Sequence, residues 1–420
     1  MRGIKTKAIA ALLGISLLAS GCGKQTANGT IPSGTGSNLP PGANPQVLEN
    51  QRFGNSPVPN VRTGIEEQYL FTIGNSYECT DMGVYFVCKT IDPAKAFILY
   101  GDHGSDTLVK LCGRPDCTHS DRDCNACVPG ADSICYYDGY LYVSTMLGGT
   151  VQLYRMDPDG NNRVKVMDSS CIGVGYGGAY SPIICNGVLF FCLTRTGEDG
   201  GEVGDTYFYR LDGSVEKPTP TESFLVRSDG HNILVQSTPL GQHEDCGDEE
   251  FMGLYMVDPV TGELTYLGDT SIEYYPYSGV DADYYVPDGK LRRRDRMTGQ
   301  EEVLADLGLE GYYQLHAFPD CFALAEGIRW TEYKQGLEPE SQTLRFFNWD
   351  YEPLGEVTLD YPMHLDPREV ICGETAERIM LAANFTGVPE YYIEKSDFGT
   401  GHIEVHKYNI PDDIIPEEGW

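Results

Sequence analysis

The chain has 420 residues, and its 62 Asp and Glu residues outnumber its 30 Lys and Arg residues, which gives a formal net charge of −32. A chain this acidic is repelled by phosphate backbones and by anionic lipid head groups, so its composition argues against nucleic acid as a partner. Hydrophobic residues make up 41% of the sequence, enough to fill a sizeable core.

The first 22 residues have the pattern of an export signal. A positively charged start precedes an apolar run at residues 8–19, which is too short to span a bilayer and is typical of a cleaved signal peptide. The small residues before Cys22 resemble a bacterial lipobox, although Ala19 stands where Leu is usual. This resemblance implies that Cys22 is lipidated and becomes the mature N-terminus. The alternative is an ordinary secretory signal followed by a chance cysteine.

Residues 23–64 are rich in Gly, Pro, Asn and Ser, with almost no apolar periodicity. This composition is typical of a flexible tether that lifts a domain off a membrane. We therefore expect a monomeric lipoprotein, held by its lipid on the outer face of the bacterial cell membrane. Residues 65–420 are expected to form a single folded domain.

One strand–turn signature recurs along this domain. An apolar or aromatic run ends in Asp or Asn, a Gly follows within a few residues, and a second β-rich run comes next. The equivalent positions are Asp102, Asp157, Asp212, Asp258, Asp295, Asn348 and Lys395. The signature therefore occurs seven times, at an average spacing of about 49 residues, which indicates a repeat architecture.

A second turn precedes each copy, as at Asp138-Gly139 and Asn186-Gly187. Such pairs favour tight hairpins, because both residues tolerate positive φ. Two hairpins per copy make a four-stranded antiparallel sheet, which is one blade of a β-propeller. The predicted fold is therefore all-β, a propeller with seven four-stranded blades favoured over six or eight. Two separate β-sandwiches are the alternative, but they would not explain seven copies of one pattern.

Five potential metal ligands, four cysteines and one histidine, are packed into residues 112–127. Cys112, Cys117, His119 and Cys124 have separations that could form a tetrahedral Cys3His zinc site, and zinc is the one cofactor that the sequence suggests. The spacing departs from zinc-knuckle and zinc-ribbon patterns. Disulfides that pin a long loop in an oxidising compartment are an alternative, and free thiols are another. We expect the four side chains to lie together on the loop that leaves the first blade, because so long a loop needs a local constraint, which either a metal or a disulfide would supply.

The run from Leu111 to His119, followed by Cys124-Asn125-Ala126, resembles a segment of a family of β-propeller lipoproteins found in gut-dwelling Firmicutes. The blade pattern also resembles TolB-like and low-density-lipoprotein-receptor-type propellers. The resemblance covers roughly residues 65–410 and implies an exported, membrane-tethered propeller. It brings no catalytic residue to this chain.

Sequence signatures of catalysis are mostly missing: there is no Gly-x-Ser-x-Gly elbow, no phosphate-binding loop and no His-Glu-x-x-His. We therefore expect a non-catalytic protein that binds a glycan, a peptide or a partner protein. The alternative is a surface hydrolase or lyase that acts on carbohydrate or peptide. The histidines that could serve such a site are His231, His243, His316 and His364.

Tyrosines cluster at three places in the second half of the chain. At the mouth of a ring of blades, these amphipathic rings would suit sugars, peptides or protein surfaces. The candidate ligand-binding residues are Tyr275, Tyr277, Tyr285 and Tyr313. Packing between blades is the alternative role, because it also uses tyrosine heavily.

Overall fold

The computed structural model of the protein describes residues 77–414, with gaps that are longest at residues 238–250, 328–342 and 360–369. The signal peptide, Cys22 and the tether lie outside the described residues. Within the described part of the chain, no helix is long and apolar enough to cross a bilayer.

Strands dominate the described residues, which contain almost no helix beyond a short 3₁₀ turn at Lys395–Asp397. Counted over those residues, the strands assemble into seven four-stranded sheets, each with its strands in chain order. Every pairing between neighbouring strands of a sheet is antiparallel. The sequence prediction of an all-β fold built from four-stranded antiparallel repeats is confirmed.

The strand bounds, sheet by sheet, are as follows. Sheet 1 contains β1 (Tyr77–Cys79), β2 (Val84–Cys88), β3 (Phe97–Gly101) and β4 (Val109–Lys110), and sheet 2 contains β5 (Ala131–Tyr137), β6 (Tyr140–Leu147), β7 (Thr150–Met156) and β8 (Val164–Asp168). Sheet 3 contains β9 (Tyr176–Cys185), β10 (Val188–Thr196), β11 (Glu202–Arg210) and β12 (Val215–Glu216), and sheet 4 contains β13 (Ser223–Ser228), β14 (Ile233–Ser237), β15 (Phe251–Val257) and β16 (Leu264–Ser271). Sheet 5 contains β17 (Tyr277–Ser278), β18 (Asp283–Tyr285), β19 (Lys290–Arg294) and β20 (Glu301–Asp306), and sheet 6 contains β21 (Tyr313–Ala317), β22 (Phe322–Glu326), β23 (Thr343–Phe347) and β24 (Pro353–Thr358). Sheet 7 contains β25 (Ile371–Glu374), β26 (Arg378–Ala382), β27 (Pro389–Glu394) and β28 (Val405–Lys407).

The hairpin between β5 and β6 illustrates how residue type sets the turns. Asp138 and Gly139 both have positive φ, 49° and 83°, and they separate the paired residues Tyr137 and Tyr140. Two successive residues with positive φ form the type I′ turn, whose twist matches that of the flanking strands. The Asp-Gly pair therefore fixes the register of the hairpin locally.

The middle strands of the sheets are covered on both faces. All five residues of β2 and all five residues of β26 are buried, whereas the outer strands β20 and β24 expose much of their length. One core cluster joins sheets 1, 2 and 7, a second joins sheets 6 and 7, and a third joins sheets 5 and 6. Burial on both faces explains why these strands are continuously apolar rather than alternating.

The last sheet contacts the first. The backbone N–H of Leu108 donates to the carbonyl oxygen of Asn409 at 2.9 Å, and the N–H of Asn409 donates to the carbonyl oxygen of Asp106 at 2.7 Å. These bonds attach the segment after β28 to the turn between β3 and β4. Backbone hydrogen bonds therefore join the segment after the last sheet to sheet 1.

Candidate metal centre

The cysteine-rich segment is an insertion in the outer edge of sheet 1. The N–H of Leu111 donates to the carbonyl oxygen of Ile98 at 2.9 Å, whereas the N–H of Ile98 donates to the carbonyl oxygen of Ala126 at 2.8 Å. In an uninterrupted antiparallel ladder, one partner residue would exchange both of these bonds with Ile98. Residues 112–125 therefore loop out between two positions that lie side by side on the edge of β3.

Four side chains of this insertion converge. The ligand atoms of Cys112, Cys117, His119 and Cys124 all lie within 4.8 Å of one another, and Cys124 Sγ is 3.6 Å from His119 Nδ1. Tetrahedral zinc, with bonds of about 2.3 Å to sulfur and about 2.0 Å to nitrogen, places neighbouring ligand atoms roughly 3.5–4 Å apart. The cluster can hold a metal ion after a contraction of less than about 1 Å.

The thiols of this cluster are free, which bears on the disulfide alternative. Cys112, Cys117 and Cys124 are not joined by disulfides. The arrangement of three sulfur atoms and an imidazole around one point is the geometry of a Cys3His site rather than that of a single disulfide pair. Among the alternatives that the sequence left open, the geometry is compatible with the metal.

Local backbone contacts hold the ligands in place. The N–H of Cys117 donates to the carbonyl oxygen of Arg114 at 3.2 Å, closing a turn inside the insertion. His119 has a φ of 56°, which is uncommon for a residue other than glycine. Lys110 Nζ donates to the carbonyl oxygen of His119 at 2.8 Å, so the end of β4 supports this conformation.

The pKa values of two thiols in the cluster, Cys112 and Cys124, are shifted in opposite directions. Burial alone would raise the pKa of the Cys112 thiol, but the backbone N–H groups of Arg114 and Asn125, with Cys117 and the Arg114 side chain, lower this pKa to about 6. Burial raises the pKa of the Cys124 thiol to about 12. The Cys112 thiolate is thus stabilised by surrounding hydrogen-bond donors. The buried Cys124 thiol needs a nearby cation to ionise at neutral pH.

Arg114 places a positive charge in direct contact with the cluster. Its Nη2 atom donates to Cys117 Sγ at 3.2 Å and to the carbonyl oxygen of Asp123. A divalent ion bound by three thiolates and one neutral imidazole has a net charge of −1. The guanidinium therefore lies where it would balance that charge.

Two of the four candidate tyrosines are buried. Tyr285 on β18 is 4% exposed and its hydroxyl donates to Glu301, while Tyr313 on β21 is 5% exposed and donates to the carbonyl oxygen of Glu310 at 3.1 Å. Their rings have almost no accessible face for a ligand, because neighbouring strands cover them. Their burial agrees with the packing alternative, and ligand binding by these two tyrosines stays a prediction. Tyr275 and the side chain of Tyr277 lie outside the described residues.

Of the four candidate histidines, His316 alone lies in the described part of the chain, where it is half-buried on β21.

The structure adds a buried ion pair that sequence reasoning missed. Arg296 Nη1 and Asp283 Oδ1 are 2.8 Å apart, with side chains 0% and 2% exposed. The sequence signal for this pair is the arginine-rich strand β19 just before Arg296, whose half-buried Arg292 and Arg293 also pair with acids.

Comparisons with known proteins identify distant structural likenesses. No protein-family model matches the chain, and no curated protein sequence matches it. Similar solved structures include TolB from Acinetobacter baumannii (13% identity, TM-score 0.34, 69% of this chain and 63% of that one). Others are a puromycin hydrolase (14%, 0.41, 81% and 53%) and the Pyrococcus horikoshii acylaminoacyl peptidase (13%, 0.45, 80% and 53%). The chain thus spans between about half and two thirds of the length of each, and at these TM-scores no property of theirs carries over.

Proposed function

We propose that this protein is an exported lipoprotein whose folded domain is a seven-bladed propeller that binds an extracellular glycan, peptide or partner protein without catalysing a reaction. Cys22 would carry the lipid, and residues 23–64 would tether the domain to the outer face of the membrane. The observation that carries the propeller is the contact between the last sheet and the first, since a ring of seven blades must close there.

We further propose that Cys112, Cys117, His119 and Cys124 bind one zinc ion. The convergence of their ligand atoms and the free state of the thiols support this assignment. Among the described residues, no other group of three or more Cys, His, Asp and Glu side chains converges in this way. Thiolate and imidazole ligands suit zinc, and when bound the ion would supply a fixed cross-link within the insertion.

The ligand set supports a structural role for this ion. Catalytic zinc sites keep one coordination position open for water or substrate, whereas four protein ligands close the coordination sphere. A closed site stabilises the fold without activating water. The metal centre therefore agrees with a binding protein and does not favour the hydrolase or lyase alternative.

The test of the binding function uses the full chain carrying Cys22→Ser, which is expected to be soluble. This protein is applied to arrays of glycans and of peptides, and each bound compound is then incubated with it and analysed by mass spectrometry. Saturable binding with no change in ligand mass supports a non-catalytic binding protein. Cleavage products would establish the hydrolase or lyase instead, and no binding to any array would contradict a glycan or peptide ligand.

A further inference from the structure

The metal-binding insertion of sheet 1 contacts a turn of sheet 2. This turn, residues 157–163 between β7 and β8, lies against the segment that follows the last ligand. Asn125 Nδ2 donates to Asn161 Oδ1 at 2.5 Å. Arg163 Nη1 donates to the carbonyl oxygen of Cys127 and, at 3.4 Å, to that of Asn125. Arg163 therefore holds the backbone just after Cys124, while Asn161 holds the side chain of Asn125.

The same turn also packs against the other end of the insertion. Gly160 has a φ of 81°, and a Cβ atom built on it would lie 2.8 Å from the carbonyl oxygen of Leu111 and 3.4 Å from Cβ of Asn125. Leu111 directly precedes the first ligand, Cys112, and Asn125 directly follows the last ligand, Cys124. The turn is thus in close contact with both ends of the insertion at once.

The turn is itself well ordered by internal hydrogen bonds. The N–H of Gly160 donates to the carbonyl oxygen of Asp157 at 2.8 Å, and the N–H of Asn161 donates to Asp159 Oδ1 at 2.9 Å. Asn162 Nδ2 donates to Asp157 Oδ2 at 2.6 Å. A turn with this many local bonds offers a fixed surface rather than an adaptable one.

We propose that Asn161 and Arg163 are positioning residues of the metal site, which hold the segment after Cys124 against a turn that itself packs on Leu111 through Gly160, so that Cys112 and Cys124 reach one ion. This inference rests on the proposed zinc site and adds a second consequence. Because coupling between sites is reciprocal, a bound ion would strengthen the contact between sheets 1 and 2 by the same factor that this contact strengthens metal binding. The bound ion would thus stabilise the packing of sheet 1 against sheet 2.

Other metal sites indicate how strongly the loss of Asn161 or Arg163 should change the affinity for zinc. Groups that orient metal ligands through hydrogen bonds typically contribute about 10- to 100-fold to metal affinity. Asn161→Ala removes the hydrogen bond to the side chain of Asn125, whose backbone N–H donates to the ligand Cys112. Arg163→Gln removes a charged donor to the carbonyl oxygens of Asn125 and Cys127. Each variant is therefore expected to weaken zinc binding by about 10-fold or more, although neither residue is a ligand.

The test measures zinc affinity of the full chain by competition with a chromophoric chelator. Matched controls on the same hairpin are Gln152→Ala, which removes one side-chain hydrogen bond to Asp168, and Lys165→Gln, which breaks an exposed ion pair with Asp168. We expect both controls to bind zinc within about 2-fold of the wild type. Cobalt(II) spectra of Asn161→Ala should keep the thiolate charge-transfer bands of the wild type, because the four ligands are unchanged.

A second readout tests the coupling directly. Hydrogen exchange at residues 157–163 should slow when zinc is added to the wild type and should not respond to zinc in Cys117→Ser. If Asn161→Ala and Arg163→Gln bind zinc as tightly as the two controls, the positioning role is overturned while the zinc site stands. If the wild type binds no zinc, the zinc assignment itself fails, and this inference falls with it. Should Arg163→Gln fail to fold, the half-buried Asn161 carries the affinity test alone.

Discussion

Replacement of Arg378 is expected to weaken the contact between the last sheet and the first. Arg378 lies on β26, and its side chain is 8% exposed. Its Nη1 and Nη2 atoms donate to the carbonyl oxygens of Ser105 at 2.6 Å and Gly104 at 3.0 Å, in the turn after β3. Its Nε atom donates to Glu394 Oε1 at 2.9 Å on β27. One side chain therefore connects two strands of sheet 7 to sheet 1.

The size of the effect follows from these contacts. A hydrogen bond from a charged group contributes about 1.5–3 kcal/mol. Arg378→Met removes such bonds to two carbonyl groups and also the partner of Glu394, whose side chain is 28% exposed and stays partly solvated, so we expect a loss of about 3–5 kcal/mol in the free energy of unfolding. Arg378→Lys keeps the charge but lacks the guanidinium fork, so a loss of about 1.5–3 kcal/mol is expected.

Urea unfolding of the full chain measures these losses, and hydrogen exchange locates them. The control is Arg293→Ala, whose pair with Glu302 spans 3.5 Å within sheet 5 and is partly exposed, so its loss should be about 0–1 kcal/mol. Exchange in Arg378→Met should accelerate at residues 103–108 and 405–409, on both sides of the contact. A loss below about 1 kcal/mol, or exchange that accelerates only within sheet 7, would refute the idea that this contact joins the first and last sheets.

Two other predictions address the anchor and the buried charges. Cys22→Ser should move the protein from the membrane fraction to the soluble fraction without changing its unfolding midpoint, as measured by fractionation and circular dichroism; retention in the membrane would contradict the lipobox. Arg296→Met should destabilise the fold by about 3–5 kcal/mol in urea unfolding, because it leaves Asp283 buried without its partner. The double variant Arg296→Met with Asp283→Leu should recover much of that loss, and equal losses in the single and double variants would contradict this explanation.

The turns could be predicted from the sequence because they depend on residue type alone. Asp138 and Gly139 adopt the two positive φ values that a two-residue hairpin needs, and these residues tolerate such values in any context. The convergence of the cysteine segment could be predicted for a related reason. A long loop with several potential ligands needs a local constraint, although spacing alone did not decide between a metal and a disulfide.

The roles of the tyrosines and of the buried charges could not be predicted in the same way. Tyr285 and Tyr313 carry an apolar ring and a polar hydroxyl, which suit a buried site and a rim equally well. Arg296 and Arg378 differ from exposed arginines only in the strands that cover them, and that cover is supplied by neighbouring sheets. Burial that depends on contacts between segments far apart in the chain cannot be inferred from a single sequence.

X-ray absorption at the zinc edge, measured on the purified full chain together with its metal content, tests the metal centre most directly. The account predicts one zinc ion per chain with three sulfur scatterers at about 2.3 Å and one nitrogen scatterer at about 2.0–2.1 Å. Cys117→Ser should lose the ion or one sulfur scatterer. A wild-type protein without metal, in which peptide mapping finds Cys112 or Cys124 in a disulfide, would contradict the zinc site.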